Sequence, residues 1–229
     1  MLERTKSHGP LKFHKNTEQE LLKYVLANAE TNNISSVIQT IDDFCWNNHW
    51  MMHVGDEKGV ILEQAILNSN PMNVLELGTY CGYSCLRILR NMSKEESNVY
   101  TIDPNEDIVN LIAKPILSKA GVLDRVVFLS GYSSQVIPNI KNIVFDAVFF
   151  DHEKKQYHPD LLLLEEHGLV GKQTTLIADN VIVFNIHEYL NYVSDKNKFV
   201  TTIKYTKLEY NSEKDKEVYT DGVVVSNYV

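Results

Sequence analysis

The chain lacks a basic excess: 22 Lys and Arg face 30 Asp and Glu, a formal charge of -8 over 229 residues. No basic patch is available to displace counterions from phosphates, which excludes general nucleic-acid affinity. Missing too is any apolar run near the ~18 residues that span a bilayer, so no membrane partner is expected. Met1 to Lys15 is polar and basic without an apolar core, unlike a secretory signal. We read residues 1–16 as a flexible arm and 17–229 as one domain. Cysteine is scarce: Cys45, Cys81 and Cys85 cannot all pair within one chain. Without an export signal they read as reduced thiols in a cytoplasmic protein, and too few soft ligands accompany them for a metal site. The Asn-x-Ser matches at Asn33 and Asn91 carry no weight without secretion.

What is present is ordinary globular composition, 44% hydrophobic and 23% charged, long enough for one large α/β domain. Residues 16–70 read as helical. Thr17 and Glu20 form a capping-box signature, followed by Leu21, Leu22, Val25 and Leu26 on one face. A second helix carries Val37, Ile38, Ile41 and Phe44, and a third runs from about Glu57 to Leu67. Between these two lies an apolar, glycine-bearing loop, Trp50 to Asp56.

From Asn73 the pattern alternates. Apolar runs at 73–77, 99–102, 125–129, 145–150 and 174–178 read as buried parallel strands with helices between them. Pro115 is expected to kink or split the helix after the second strand. Residues 199–209 and 217–227 alternate apolar and polar around a charged turn at 211–216, which predicts an antiparallel hairpin on the sheet's edge. The expected fold is α/β: a doubly wound, mostly parallel seven-stranded sheet, which binds ligands at the carboxyl ends of its strands.

Val74 to Ser84 holds the richest signal, with Glu76, Gly78 and Gly82 spaced Glu-x-Gly-x-x-x-Gly. Two glycines pin a strand-to-helix turn where a ligand can approach bare backbone. The spacing is wider than the Gly-x-Gly-x-x-Gly of nicotinamide dehydrogenases and suits a nucleoside cofactor without phosphates. Asp103 ends the next strand about 20 residues on, where a carboxylate meets a ribose diol; as a bare helix cap it would serve only the fold. Ser133 and Ser134, after the third strand, suit either an adenine edge or a helix N-cap.

Two later strands end in Asp151-His152 and Asp179-Asn180. Neighbouring strands lie ~4.8 Å apart, so Asp151 and Asp179 would repel unless a divalent cation joined them. Three hard oxygen ligands, with Asn180 the third, suit magnesium; read alone, Asp-Asn is first a turn and helix-cap signal. Asp146 reads as structural, and His152 and His187 as satisfied imidazoles. Lys154 is either solvated or a proton acceptor beside the metal.

In this order the residues resemble the catechol O-methyltransferase family, over about 17 to 226. The resemblance rests on Glu76 to Ser84, the Asp179 to Val183 run, Leu208-Glu209-Tyr210, and Trp50 to Asp56 as a lid. It implies a Rossmann-like methyltransferase that uses S-adenosylmethionine and magnesium on a vicinal diphenol, and it is like the family's soluble, monomeric form. By position, Asp151, Asp179 and Asn180 would hold the metal, Lys154 would be the base, and Glu209 would bond the hydroxyl that is not methylated. Val54, Glu76, Gly78, Tyr80, Ser84, Asp103, Ser133 and Asp151 would line the cofactor. Trp50 would gate the aromatic ring, with Lys154, Asn180, Phe184 and Glu209 at the substrate. The chain departs from the pattern at Glu153 (usually Trp), His53 (Asn), Phe184 (Pro), Ser134 (Gln) and Pro115. Other readings are methylation of another diol, such as a caffeoyl ester, and a non-catalytic cofactor-binding relative.

Overall fold

Val74, Leu75 and Leu77 are wholly buried because strand β1 (Asn73–Leu77) runs through the middle of a seven-stranded sheet. The computed structural model describes residues 11–212 and 218–229. β1 pairs in parallel with β2 (Asn98–Asp103) on one side and β4 (Ala147–Phe150) on the other. β3 (Val126–Ser130) extends the sheet beyond β2, and β5 (Thr175–Ala178) extends it beyond β4. β6 (Phe199–Lys207) and β7 (Thr220–Tyr228) complete the order β3-β2-β1-β4-β5-β7-β6. The expected hairpin is present, but only β6 is an edge. β7 is inserted between β5 and β6, antiparallel to both. Most of the expected charged turn, 213–216, lies outside the described residues.

Period-two alternation sends strand side chains into two cores. Val74, Val99, Phe149, Ile177 and Val223 pack beneath α1 (Thr17–Asn28), α2 (Ile34–Asn47), α3 (Gly55–Ser69) and α4 (Tyr83–Arg90). Leu75, Leu77, Val148, Phe150, Leu176 and Val224 form the opposite core.

Two expectations about the first helix fail. Its cap is Asn16 in a left-handed conformation without a side-chain cap bond, and Thr17 Oγ1 instead donates to the His14 carbonyl, so no capping box forms. Leu26 is exposed, because the buried stripe is Thr17, Leu21 and Val25, at four-residue spacing. The proline expectation is met in a specific way. α5 (Glu106–Ile108) passes through a π-turn (Val109–Ala113) into α6 (Lys114–Ala120), with the Lys114 amide donating five residues back to Val109. Widening the helix just before Pro115, which has no N–H, splits it into two α-helical segments joined by the π-turn. Asp146 is structural: its Oδ2 accepts the Met72 and Asn73 amides at 2.8 and 2.9 Å.

The strand order reverses between β1 and β4, so the connections after these strands diverge and open a crevice at their carboxyl ends. Among the described residues no helix is long and apolar enough to cross a membrane.

Candidate functional site

A cavity of about 750 Å³ occupies that crevice. Trp50, Val54, Gly78, Tyr80, Ser84, Asp103, Ser133, Asp151, Lys154, Asn180, Phe184 and Glu209 all border it, as do His53, Ser134 and Glu153. Two expected residues, Glu76 and Asp179, stand behind its wall, essentially fully buried. Leu11 and Phe13, read as part of a flexible arm, also line the cavity, and Phe13 packs edge-on against Trp50 at 5.3 Å.

The glycine turn is shaped by the protein itself. A Cβ on Gly78 would stand 2.5 Å from the Asp151 carbonyl oxygen, and the backbone there has a φ of +100°. The first neighbour to exclude a side chain is thus the end of strand β4, not a ligand as the sequence suggested. At Gly82 the neighbours are Leu117 and Ala113. Asp103 Oδ2 accepts the Thr79 and Tyr80 amides, both at 3.0 Å, and Oδ1 accepts Asn105 N–H at 2.8 Å. One carboxylate therefore fixes the turn and also faces the cavity. Ser133 opens a short helix, α7 (Ser133–Val136), whose cap residue is Tyr132 without a side-chain cap bond. Its hydroxyl is not the N-cap.

Glu76 accepts hydrogen bonds at Oε2 from Thr101 at 2.5 Å and Cys85 at 2.7 Å, while its buried Oε1 has no partner. Burial raises its pKa to about 7. His53 lies stacked on Tyr83 at 5.0 Å, and burial lowers its pKa to about 3, so it is a neutral imidazole.

At the other end, Phe150 pairs with Ala178 across β4 and β5, so Asp151 and Asp179 each stand one residue beyond the last rung. Lys154 Nζ donates to Asp151 Oδ1 at 2.8 Å and to Tyr157 Oη at 2.9 Å; Tyr157 in turn donates to the Asp179 carbonyl. Trp50 is pinned by its indole N–H to the Glu209 carbonyl at 3.0 Å. Gly55, at the start of α3, makes this close approach possible, since a Cβ there would lie 2.5 Å from Glu209 Cβ.

The sequence reading missed the residue that ties these groups together. Lys58 is fully buried, with Nζ 2.9 Å from Asp179 Oδ2, 2.8 Å from Glu209 Oε2 and 2.8 Å from Asp221 Oδ2. The contact to Glu209 is an ion pair without hydrogen-bond geometry, whereas the other two are hydrogen bonds. A signal did exist: Lys58, Leu62 and Ile66 share one stripe of α3, and all three are buried. A charge on an apolar stripe asks for a buried partner. Burial alone would lower the Lys58 pKa, but the three carboxylates outweigh it and hold the ammonium well above its ordinary value.

Four carboxylates (Asp151, Asp179, Glu209 and Asp221) meet two ammonium groups here, a formal excess of two negative charges. Burial raises the Asp179 pKa, and Asp151, Asp221 and Glu209 add to this against the pull of Lys58. Asp179 Oδ1 is buried without a hydrogen-bond partner. Asn180 Nδ2 donates to Asp221 Oδ2 at 2.8 Å, so the amide's other end, its oxygen, is the one left for a ligand. Among the described residues no three His, Cys, Asp or Glu side chains could hold an ion on their own. A metal here would use the Asn180 amide as its third oxygen. Hard oxygens, an orphaned carboxylate atom and a double negative excess fit a divalent cation.

Comparison with known proteins bears on the family and the fold. The family model for O-methyltransferases matches residues 29–203. Catechol O-methyltransferase B of Danio rerio is 41% identical over 201 residues, covering 86% of this chain and 75% of that protein. The Mus musculus catechol O-methyltransferase is 41% identical over 197 residues, covering 84% and 74%. The O-methyltransferase of Bacillus cereus, solved in complex with SAH, superposes with a TM-score of 0.68 over 96% of this chain and 93% of that one. At 22% identity that likeness speaks for the fold alone. The two sequence relatives go further, because a shared fold does not demand such identity across most of both chains: this protein belongs to the O-methyltransferase family.

Proposed function

We propose that the protein transfers a methyl group from S-adenosylmethionine to one hydroxyl of a catechol, with magnesium at the Asp151, Asp179 and Asn180 oxygens. The observation that carries the metal is the unpartnered Asp179 Oδ1 in a cluster where four carboxylates meet two ammonium groups. The cofactor would be held against the glycine turn, with Asp103 at the ribose and Glu76 behind the cavity wall. Bound magnesium would supply Lewis acidity that makes a phenol easier to deprotonate.

The side chains do the rest. Lys154, once it has released a proton, takes one from the hydroxyl to be methylated, and its bonds to Asp151 and Tyr157 hold Nζ at that corner. Glu209, fixed through Trp50 and Lys58, receives the second hydroxyl. Trp50 and Phe184 border the cavity where the ring would lie. Fixing donor and acceptor in near-attack geometry contributes up to ~7–11 kcal/mol.

The cavity lining favours a small phenol over a substrate with a phosphate-bearing handle. Among its described residues Lys154 is the only Lys or Arg, against Glu18, Asp103, Asp151, Glu153 and Glu209. The test is transfer of labelled methyl to a panel of small diphenols, with magnesium and with a chelator. Transfer to vicinal diphenols that stops on chelation is expected. Transfer indifferent to the chelator would remove the metal from the reaction.

A further inference from the structure

Asp221 does not line the cavity and was not singled out in the sequence, yet three donors converge on it, two of them from the site. Its Oδ2 accepts Lys58 Nζ at 2.8 Å and Asn180 Nδ2 at 2.8 Å, and its Oδ1 accepts the Val183 amide at 3.3 Å. It is fully buried on β7, the strand inserted next to β5. An amide can present either end to a cation, and only the oxygen binds one. The bond from Nδ2 to Asp221 settles which end of Asn180 stays free. Lys58, anchored on the same Asp221 oxygen, occupies Asp179 Oδ2 and leaves Oδ1 as that ligand's open atom.

We infer that Asp221 is a positioning residue for the metal centre: it turns the Asn180 amide so that its oxygen faces the ion, and through Lys58 it sets which Asp179 oxygen is offered. This rests on the magnesium site proposed above. It adds a residue from the C-terminal strand that has no contact with cofactor, substrate or ion. Outer-shell partners of metal ligands are worth 10–100-fold in metal affinity.

The experiment is calorimetric titration of the folded protein with magnesium chloride, and separately with S-adenosylmethionine without metal, for wild type, Asp221→Ala and Asp221→Asn. Asn keeps an oxygen for Asn180 and Lys58 while removing the charge. We expect Asp221→Ala to lose at least tenfold in magnesium affinity and Asp221→Asn to stay within threefold of wild type. Both should bind S-adenosylmethionine as wild type does. Wild type that binds no magnesium would sink the metal site itself. Wild type that binds, with Asp221→Ala unchanged, would overturn only the role of Asp221. Equal losses in both variants would show that its charge matters and its positioning does not. A parallel loss of S-adenosylmethionine affinity would mark a merely structural residue. Should the Ala variant not fold, the Asn variant decides: affinity within threefold supports the inference, and a tenfold loss overturns it.

Discussion

Lys58 Nζ lies 2.9 Å from Asp179 Oδ2, and this buried ion pair joins helix α3 to the strand end at the candidate metal site. Since Glu209 and Asp221 share the same ammonium, Lys58→Met leaves three buried carboxylates without their common counter-charge. Breaking a buried pair from one side costs about 3–5 kcal/mol. Urea unfolding of the metal-free protein should show a loss of that order, and a change under about 1 kcal/mol would mean that water or protonation relieves the cluster.

Glu76 gives a pH dependence of definite sign. Its folded pKa is raised, from 4.5 to about 7, so the folded state holds a proton that the unfolded chain has released. Its contribution is fully present below about 4.5 and is lost as pH rises through about 7. Glu76→Gln, which cannot ionise, should lose less thermal stability than wild type between pH 5 and pH 8. Parallel melting curves for the two proteins across that range would show that Glu76 is not held protonated.

Lys154→Ala is expected to lower turnover by about 10²–10⁴-fold, the usual contribution of a positioned acid or base. Cofactor affinity, read by calorimetry, should remain near wild type. A large fall in cofactor affinity would instead assign Lys154 to holding Asp151, its hydrogen-bond partner.

Gly78→Ala sets a Cβ against the Asp151 carbonyl at a backbone conformation that L-residues avoid. Strain of this kind costs about 1–3 kcal/mol. Because the displaced partner is the strand end that carries a candidate ligand, both melting temperature and magnesium affinity should fall. If only stability falls, the clash is absorbed without moving Asp151.

How legible was the site? The parallel strands, the crevice and the carboxylates at the strand ends follow from local pattern, since buried runs and turn residues report on their own neighbourhoods. The β5 run, for example, predicted Asp179 beside Asp151, and the register of β4 with β5 sets them on adjacent ends. The resemblance named the family, which the comparisons establish. Local pattern misled at Thr17, whose hydroxyl found the His14 carbonyl, and at Leu26, which the rotation of α1 turns outward.

What the sequence by itself determined is therefore the order of elements, the glycine turn and the chemical types at the strand ends. Only the tertiary structure decided that Lys58 and Asp221, 163 residues apart, meet at 2.8 Å and organise Asp179, Asn180 and Glu209 around them. The reason is physical. Hydrophobic periodicity encodes which face of an element is buried, but not which element covers it. The partner of a buried charge is fixed only once β7 slides between β5 and β6 and brings its carboxylate beneath the site.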